Sequence, residues 1–323
     1  MTVYLPVQIS ERNKIIIRWL NRLLAVLALL WLVRYWSKIQ PEAFLTYLQN
    51  GTNLSSLFVV LLLAVFNWWL ETIKWRYLIV SVMPSIKMSE ALKSVLAGLT
   101  LGIVSPNRTG EVLGRVFSLP FPKRFPGFVF HACGSFSQFT ATLLIGGAFS
   151  LYYGTYSELS FWANWGRIGL STGIIFSLLL SFPGSILKKI DLIVMRWGVS
   201  AKEIEALHKP LFLLPALFLS LLRFGVYSLQ LSLLWNNFDS SIPFFTIFTI
   251  TSVMFMAVSV IPSMAISELG IRGAVLVHLA ESSGFNSTPA VLAAALLWLM
   301  NVAIPALIGI IPLQKIEWFR GKK

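Results

Sequence analysis

Apolar runs of about twenty residues recur along this chain, and short basic stretches separate them. Runs of that length match the roughly 30 Å hydrocarbon core of a bilayer at 1.5 Å per helical residue. Six such runs predict full spans near Trp19–Tyr35, Leu54–Ile73, Pro126–Tyr152, Phe161–Phe182, Leu211–Trp235 and Pro289–Pro312. Two further apolar segments, 88–119 and 243–282, are broken in the middle by proline and charge. The pattern therefore predicts an all-α polytopic membrane protein, with residues 1–323 forming a single membrane domain.

The basic stretches set an orientation. Arg12, Lys14, Arg18 and Arg22 precede the first span, and Lys74, Arg76, Lys87 and Lys93 follow the second. Lys123 and Arg124, the loop from Lys188 to Lys209, and Lys315–Lys323 complete the set. Lysine and arginine accumulate on the cytoplasmic side of membrane proteins. Both termini are thus expected in the cytoplasm, with the chain in the cell inner membrane. The basic N-terminus resembles a signal peptide, but it shows no small-residue cleavage site and continues to Arg34, so an uncleaved first span is expected.

The same parity governs the broken segments. Residues 88–119 lie between two cytoplasmic basic groups, so the segment has to enter and leave on one side. Its apolar arms, Val95–Val104 and Gly110–Leu119, have about ten residues each, roughly 15 Å as helix. They reach the membrane midplane and turn at Ser105-Pro106-Asn107, because proline breaks the helical ladder and restrains the residue before it. Residues 243–282 start and end on the opposite side, with a break at Pro262-Ser263. Each tip carries a proline, then a glutamate (Glu111, Glu268), then an arginine four residues on (Arg115, Arg272). That spacing puts carboxylate and guanidinium on one helix face. Two re-entrant hairpins entering from opposite sides suggest an inverted repeat, and broken helices at corresponding places of such repeats point to a transporter's central site.

Composition narrows the chemistry. Of the 323 residues 56% are hydrophobic and 12% charged, too apolar for a soluble core to absorb. The net charge of +13 follows the loops, so topology explains it and nucleic acid does not. One cysteine, Cys133, and three dispersed histidines exclude a disulfide within the chain and the familiar zinc spacings. No phosphate-binding loop for ATP is present, and no cofactor is implied.

A charge at the bilayer centre costs about 2.5–3.5 kcal/mol on insertion scales, so charged tips argue for function. Arginine suits a phosphodiester because its planar fork holds two oxygens. Arg115 and Arg272 are the candidate phosphate ligands, with Glu111 and Glu268 beside them. Arg108 either binds a headgroup or orients the turn. Arg223, mid-span, is expected to pair with Glu111 or Glu268. Glu71 is expected to form a local pair with Lys74, while Gln138 and Asn301 are expected to hydrogen-bond between helices. The glycines at 98, 102, 110 and 114 suit close helix packing.

"SPNRTGEVLGR", "IPSMAISELGIRG" and "NWWLETIKWRYL" together resemble segments of the lysylphosphatidylglycerol synthase membrane-region family. The resemblance runs over nearly the whole chain. It implies a flippase-like membrane domain, as in the membrane half of the multiple peptide resistance factor, with paired re-entrant helices around a lipid-accessible cavity. Bifunctional members carry an aminoacyltransferase domain after the membrane region; this chain stops about ten residues past its last span, so lipid aminoacylation is not expected of it. The favoured expectation is a lipid translocase that is not an enzyme and whose substrate is an anionic or zwitterionic phospholipid. The alternatives are an intramembrane lipid-modifying enzyme, or a scaffold for a lipid-biosynthetic partner; a homo-oligomer is compatible with each.

Overall fold

The computed structural model describes residues 53–105, 108–156, 160–182, 191–261, 265–314 and 316. The expected first span and the tip residues Pro106, Pro262 and Ser263 lie outside this set. The described residues are helical, without strands: α1 (Leu54–Ile79), α2 (Met88–Val104), α3 (Gly110–Phe117), α4 (Arg124–Tyr156), α5 (Ser160–Ser181), α6 (Asp191–Arg196), α7 (Ala201–His208), α8 (Leu214–Phe238), α9 (Phe244–Ser259), α10 (Ala265–Ser282), α11 (Thr288–Trp298) and α12 (Ile304–Leu313).

Polarity is arranged inside out. On α1 the large apolar side chains face outward, Leu54 78% and Trp69 51% exposed, while Glu71 and Lys74 are 6% and 3% exposed. Apolar surface turned outward with charge inside is stable only in hydrocarbon. Among the described residues, four stretches have the length and apolarity to cross a bilayer: Leu54–Ile79, Phe121–Thr155, Leu214–Phe238 and Thr288–Leu313. The span expected at Phe161–Phe182 is the glycine- and serine-containing α5, a 22-residue helix outside that group of four. The last of the four is one rod, α11–α12, with a π-helical turn at Leu299–Ala303. Pro305 has no N–H to give the Asn301 carbonyl and its ring crowds that group, which widens the turn and directs Asn301 inward.

Glycine sets the close contacts. In the first hairpin α2 and α3 run antiparallel: a Cβ on Gly114 would stand 2.5 Å from the Gly98 Cα, and one on Gly110 2.1 Å from the Leu101 carbonyl oxygen. Ser105 Oγ accepts from the Gly110 N–H at 2.7 Å and caps the start of α3, and Arg108 takes a positive φ of 55° in the turn. The arms are unequal. α2 has 17 residues and α3 eight: the break falls between Val104 and Gly110, where it is expected, but α2 reaches back to Met88, well beyond a ten-residue arm. α12 clamps α2 from behind, through Gly309 against the Leu96 carbonyl and Thr100 Oγ donating to the Ala306 carbonyl at 2.7 Å. α4 and α5 form a second antiparallel glycine seam through Gly147, Gly154 and Gly166. The 16 and 18 residues of α9 and α10 pack on one another as a second helical pair.

Two apolar cores flank a polar layer. One gathers Val60, Leu231, Trp235, Ile250, Met254 and Leu276; the other gathers Trp75, Leu78, Val95, Phe130, Leu207 and Leu217. α1 leaves the first at Val60 and enters the second at Trp75, and α8 runs the opposite way from Leu217 to Leu231. The stretches between, Asn67–Lys74 on α1 and Ser220–Gln230 on α8, carry the buried polar side chains. α6 and α7 lie in the long basic loop. A capping box starts α7, Ser200 N–H donating to Glu203 Oε2 at 2.7 Å, and Glu203 also takes Lys123 Nζ at 3.0 Å.

Gly114→Ala or Gly110→Ala forces α2 and α3 apart and is expected to destabilise by about 1–3 kcal/mol, as overpacking does. Gly225, where an added methyl group would meet nothing within 4 Å, is the control. Thermal unfolding in detergent checks this: Gly225→Ala should leave the midpoint level or higher while the hairpin variants fall.

Candidate functional site

The polar layer is built from several elements. α1 presents Asn67, Glu71 and Lys74 at i, i+4 and i+7, one face of a helix. The α2–α3 turn brings Arg108, α3 brings Glu111 and Arg115, α8 brings Arg223, and α10 brings Glu268 and Arg272. Gln138 from α4 and Asn301 from the π turn complete the wall. All of these except Lys74 line one cavity of about 550 Å³. A second cavity of about 270 Å³ reaches Lys74 and His131 and shares Glu71, Glu111, Arg115, Gln138 and Arg223 with the first. The shared side chains border both cavities.

Glu71 is the centre of this shared set. Its Oε1 accepts from Arg115 Nη1 at 2.5 Å, and its Oε2 accepts from Arg223 Nη1 and lies 2.9 Å from Lys74 Nζ. Arg223 also donates through Nε to Asn67 Oδ1 at 2.9 Å, and Asn67 Nδ2 donates to Asn301 Oδ1 at 2.9 Å. Gln138 Oε1 accepts from Lys74 Nζ at 3.2 Å, while its amide donates to the Ser220 carbonyl. The amides thus bond between helices, as expected of Gln138 and Asn301.

Three expectations are corrected here. Arg223 pairs with Glu71, not with Glu111 or Glu268. Arg115 directs its near contact to Glu71, and its own Glu111 is looser at 3.6 Å. Lys74, grouped with the basic residues after the second span, is buried within α1; it forms the expected local pair with Glu71 at 2.9 Å, and Glu71 is in addition the counter-ion of Arg115 and Arg223. The i, i+4, i+7 spacing of Asn67, Glu71 and Lys74 was the available signal.

Arg272 pairs with Glu268 one turn back, as its spacing implies. Arg108 lies 2.8 Å from Glu111 through Nε and 3.8 Å from Glu268 through Nη1, so the turn of the first hairpin bridges to the second. Phe255 faces the Arg272 guanidinium at 5.5 Å and Tyr227 faces Arg223 at 5.7 Å.

The charges do not balance. The larger cavity is lined by four arginines and three glutamates, and Lys74 in the adjoining chamber adds another cation. Among the described residues, Arg115 Nε and both Nε and Nη1 of Arg272 are buried without a hydrogen-bond partner. Buried donors without acceptors and cations in excess of carboxylates favour an anion. No group of three or more His, Cys, Asp or Glu side chains among the described residues could hold a metal ion.

The family model described as "Lysylphosphatidylglycerol synthase TM region" matches residues 19–309, a stretch that contains both helical hairpins and every side chain of the cavity. The chain belongs to this family. No curated protein and no solved structure matches it. Membership makes the protein a multi-pass membrane domain of a family associated with lipid handling, and it fits the cavity's place within the bilayer-crossing helices.

In this member of the lysylphosphatidylglycerol synthase membrane-region family, Arg223→Leu leaves Glu71 one counter-ion short. Removing one partner of a buried pair costs about 3–5 kcal/mol. Thermal unfolding should show a large loss for Arg223→Leu and partial recovery when Glu71→Gln is added. Glu111→Gln and Glu268→Gln, which make no ion pair with Arg223 but belong to the same network through Arg115 and Arg108, should couple to Arg223→Leu less strongly than Glu71→Gln does.

Proposed function

We propose that this chain is a lipid translocase that moves an anionic or zwitterionic phospholipid between leaflets, without an ATPase of its own. The observation that carries the reading is the convergence of charged side chains from two separate helical hairpins and two spans on one cation-rich cavity. A volume of about 550 Å³ lies within the usual range for small-molecule sites, roughly 300–1,000 Å³, and suits a headgroup whose acyl chains stay in the bilayer. Arg115 and Arg272 receive the phosphate from the two hairpins, through N–H groups that have no acceptor among the described residues. Glu71 holds the Arg115 fork and Glu268 that of Arg272, while Glu111, nearer Arg108, joins Glu268 in facing any cationic part of the headgroup. The wall offers guanidinium, carboxylate and amide groups, which bind and orient, and this favours a carrier over an intramembrane enzyme.

In this reading the two hairpins are re-entrant and related as an inverted repeat among six full spans. The chain lies in the inner membrane with both termini cytoplasmic. Helix length supports re-entry in the first hairpin, where α3 extends only about 12 Å, far short of the hydrocarbon core.

Leaflet exchange of labelled anionic phospholipid in reconstituted vesicles tests the function. Arg115→Ala and Arg272→Ala should abolish exchange. The lysine variants keep charge but lose the fork; losing one charge-assisted hydrogen bond, about 1.5–3 kcal/mol, should slow exchange roughly 10- to 100-fold. Wild-type rates in folded alanine variants would return both arginines to a structural role.

Cysteine labelling in a Cys133→Ser background tests the orientation. Ser200→Cys should react from the cytoplasmic side and Thr155→Cys from the outside, and the reverse pattern would invert the proposed topology.

A further inference from the structure

Of the two carboxylates that border both cavities, Glu71 is the one that joins arginines from different helices. Glu71 gives one oxygen to Arg115 and the other to Arg223, with Lys74 Nζ on the second oxygen at 2.9 Å. The three cations come from α3, α8 and α1, and one carboxylate cannot neutralise them. A phosphate presents two or more oxygens at similar spacing and carries its charge into the same fork geometry. We propose that the Glu71 carboxylate is an internal stand-in for the phosphate of the cargo. An arriving phosphate competes with Glu71 for Arg115 and Arg223, and Glu71 reclaims both when the phosphate leaves.

This inference rests on the proposed reading of the cavity as a phosphate-lipid site and adds to it the residue that sets affinity and release. The bridge borders both the 550 Å³ and the 270 Å³ cavity, so the exchange of partners takes place where the two meet. Asn67 and Gln138 keep Arg223 in place while the carboxylate lets go, since they accept from its Nε at 2.9 Å and its Nη1 at 3.4 Å. Glu111 is the natural comparison. It lines the same chambers and carries the same charge, but it bridges no pair of arginines from different elements: its contacts are Arg108 at 2.8 Å and Arg115 at 3.6 Å, both from its own hairpin.

The test is the affinity of the purified full chain in detergent for inorganic phosphate and for a short-chain phosphatidylglycerol, by calorimetry and by ligand-induced thermal shift. If Glu71 occupies the phosphate's place, Glu71→Gln should bind about tenfold tighter or better than wild type. Glu111→Gln, which removes the same charge from the same cavity, should gain much less. Equal gains in the two variants, or no gain in Glu71→Gln, would overturn the stand-in. A gain for both probes assigns the seat to a lipid phosphodiester, and a gain for inorganic phosphate alone keeps the seat and assigns it to a free anion. If Glu71→Gln does not fold, Glu71→Gln/Lys74→Met, which removes one charge of each sign, takes its place under the same criterion. Leaflet exchange separates the two proposals. Wild-type exchange without tightening in Glu71→Gln sinks the stand-in and spares the translocase; tightening without any wild-type exchange does the reverse.

Discussion

The structure depends on the pairing of one buried carboxylate, Glu71, with cations from three helices. In water such a pair would contribute little; in a hydrocarbon-embedded bundle each unpaired charge would cost several kcal/mol. The cluster therefore constrains where α1, α3 and α8 sit relative to one another: moving any of them strands a charge. Its value lies less in net stability, since buried ion pairs often break even against apolar packing, than in specifying one arrangement. The amides of Asn67, Gln138 and Asn301 extend that constraint to α4 and to the π turn before α12.

A membrane bundle has no hydrophobic force to press its helices together, so the approach needed for these contacts comes from van der Waals packing at small residues. Gly98 against Gly114 lets the α2 and α3 backbones nearly touch, which seats Arg115 within reach of Glu71. Gly309 and Thr100 fix α2 to α12, and the α4–α5 glycine seam holds the wall that carries Gln138. Steric fit at glycine and electrostatic fit at Glu71 are thus two parts of one device, and each would be strained without the other.

What was legible in the sequence follows from the range of each signal. Hydropathy over twenty residues is a local property, and it located α1, α4, α8 and the α11–α12 rod. The interruptions at Ser105 and at residues 262–263 are local too, and so are the i, i+4 pairs. Arg272 with Glu268 was legible for that reason. Arg223 and Glu71 are 152 residues apart, and several carboxylates were equally available to Arg223 until the bundle was assembled. Arg115 misled for the same reason: its neighbour at i−4 is in reach, but a carboxylate on another helix is closer. The capping box Ser200–Glu203 was a local signal within a loop read only for its charge, and it starts a helix that docks on Lys123.

The imbalance of charge links structure to transport. A fully neutral cluster would be a good lock and a poor receptor, because any cargo anion would have to break a satisfied pair. A strongly cationic one would hold its anion too long. With four arginines against three glutamates in the main chamber, and Lys74 beside it, the site is short of negative charge and holds donors without acceptors. An anion therefore enters with favourable electrostatics, while the three resident carboxylates keep the attraction from becoming a trap. Conduction through a membrane site requires that compromise, binding strong enough to draw the ion in and weak enough to release it. In the proposed translocase that compromise lies in carboxylates that compete with the cargo for the same guanidinium groups.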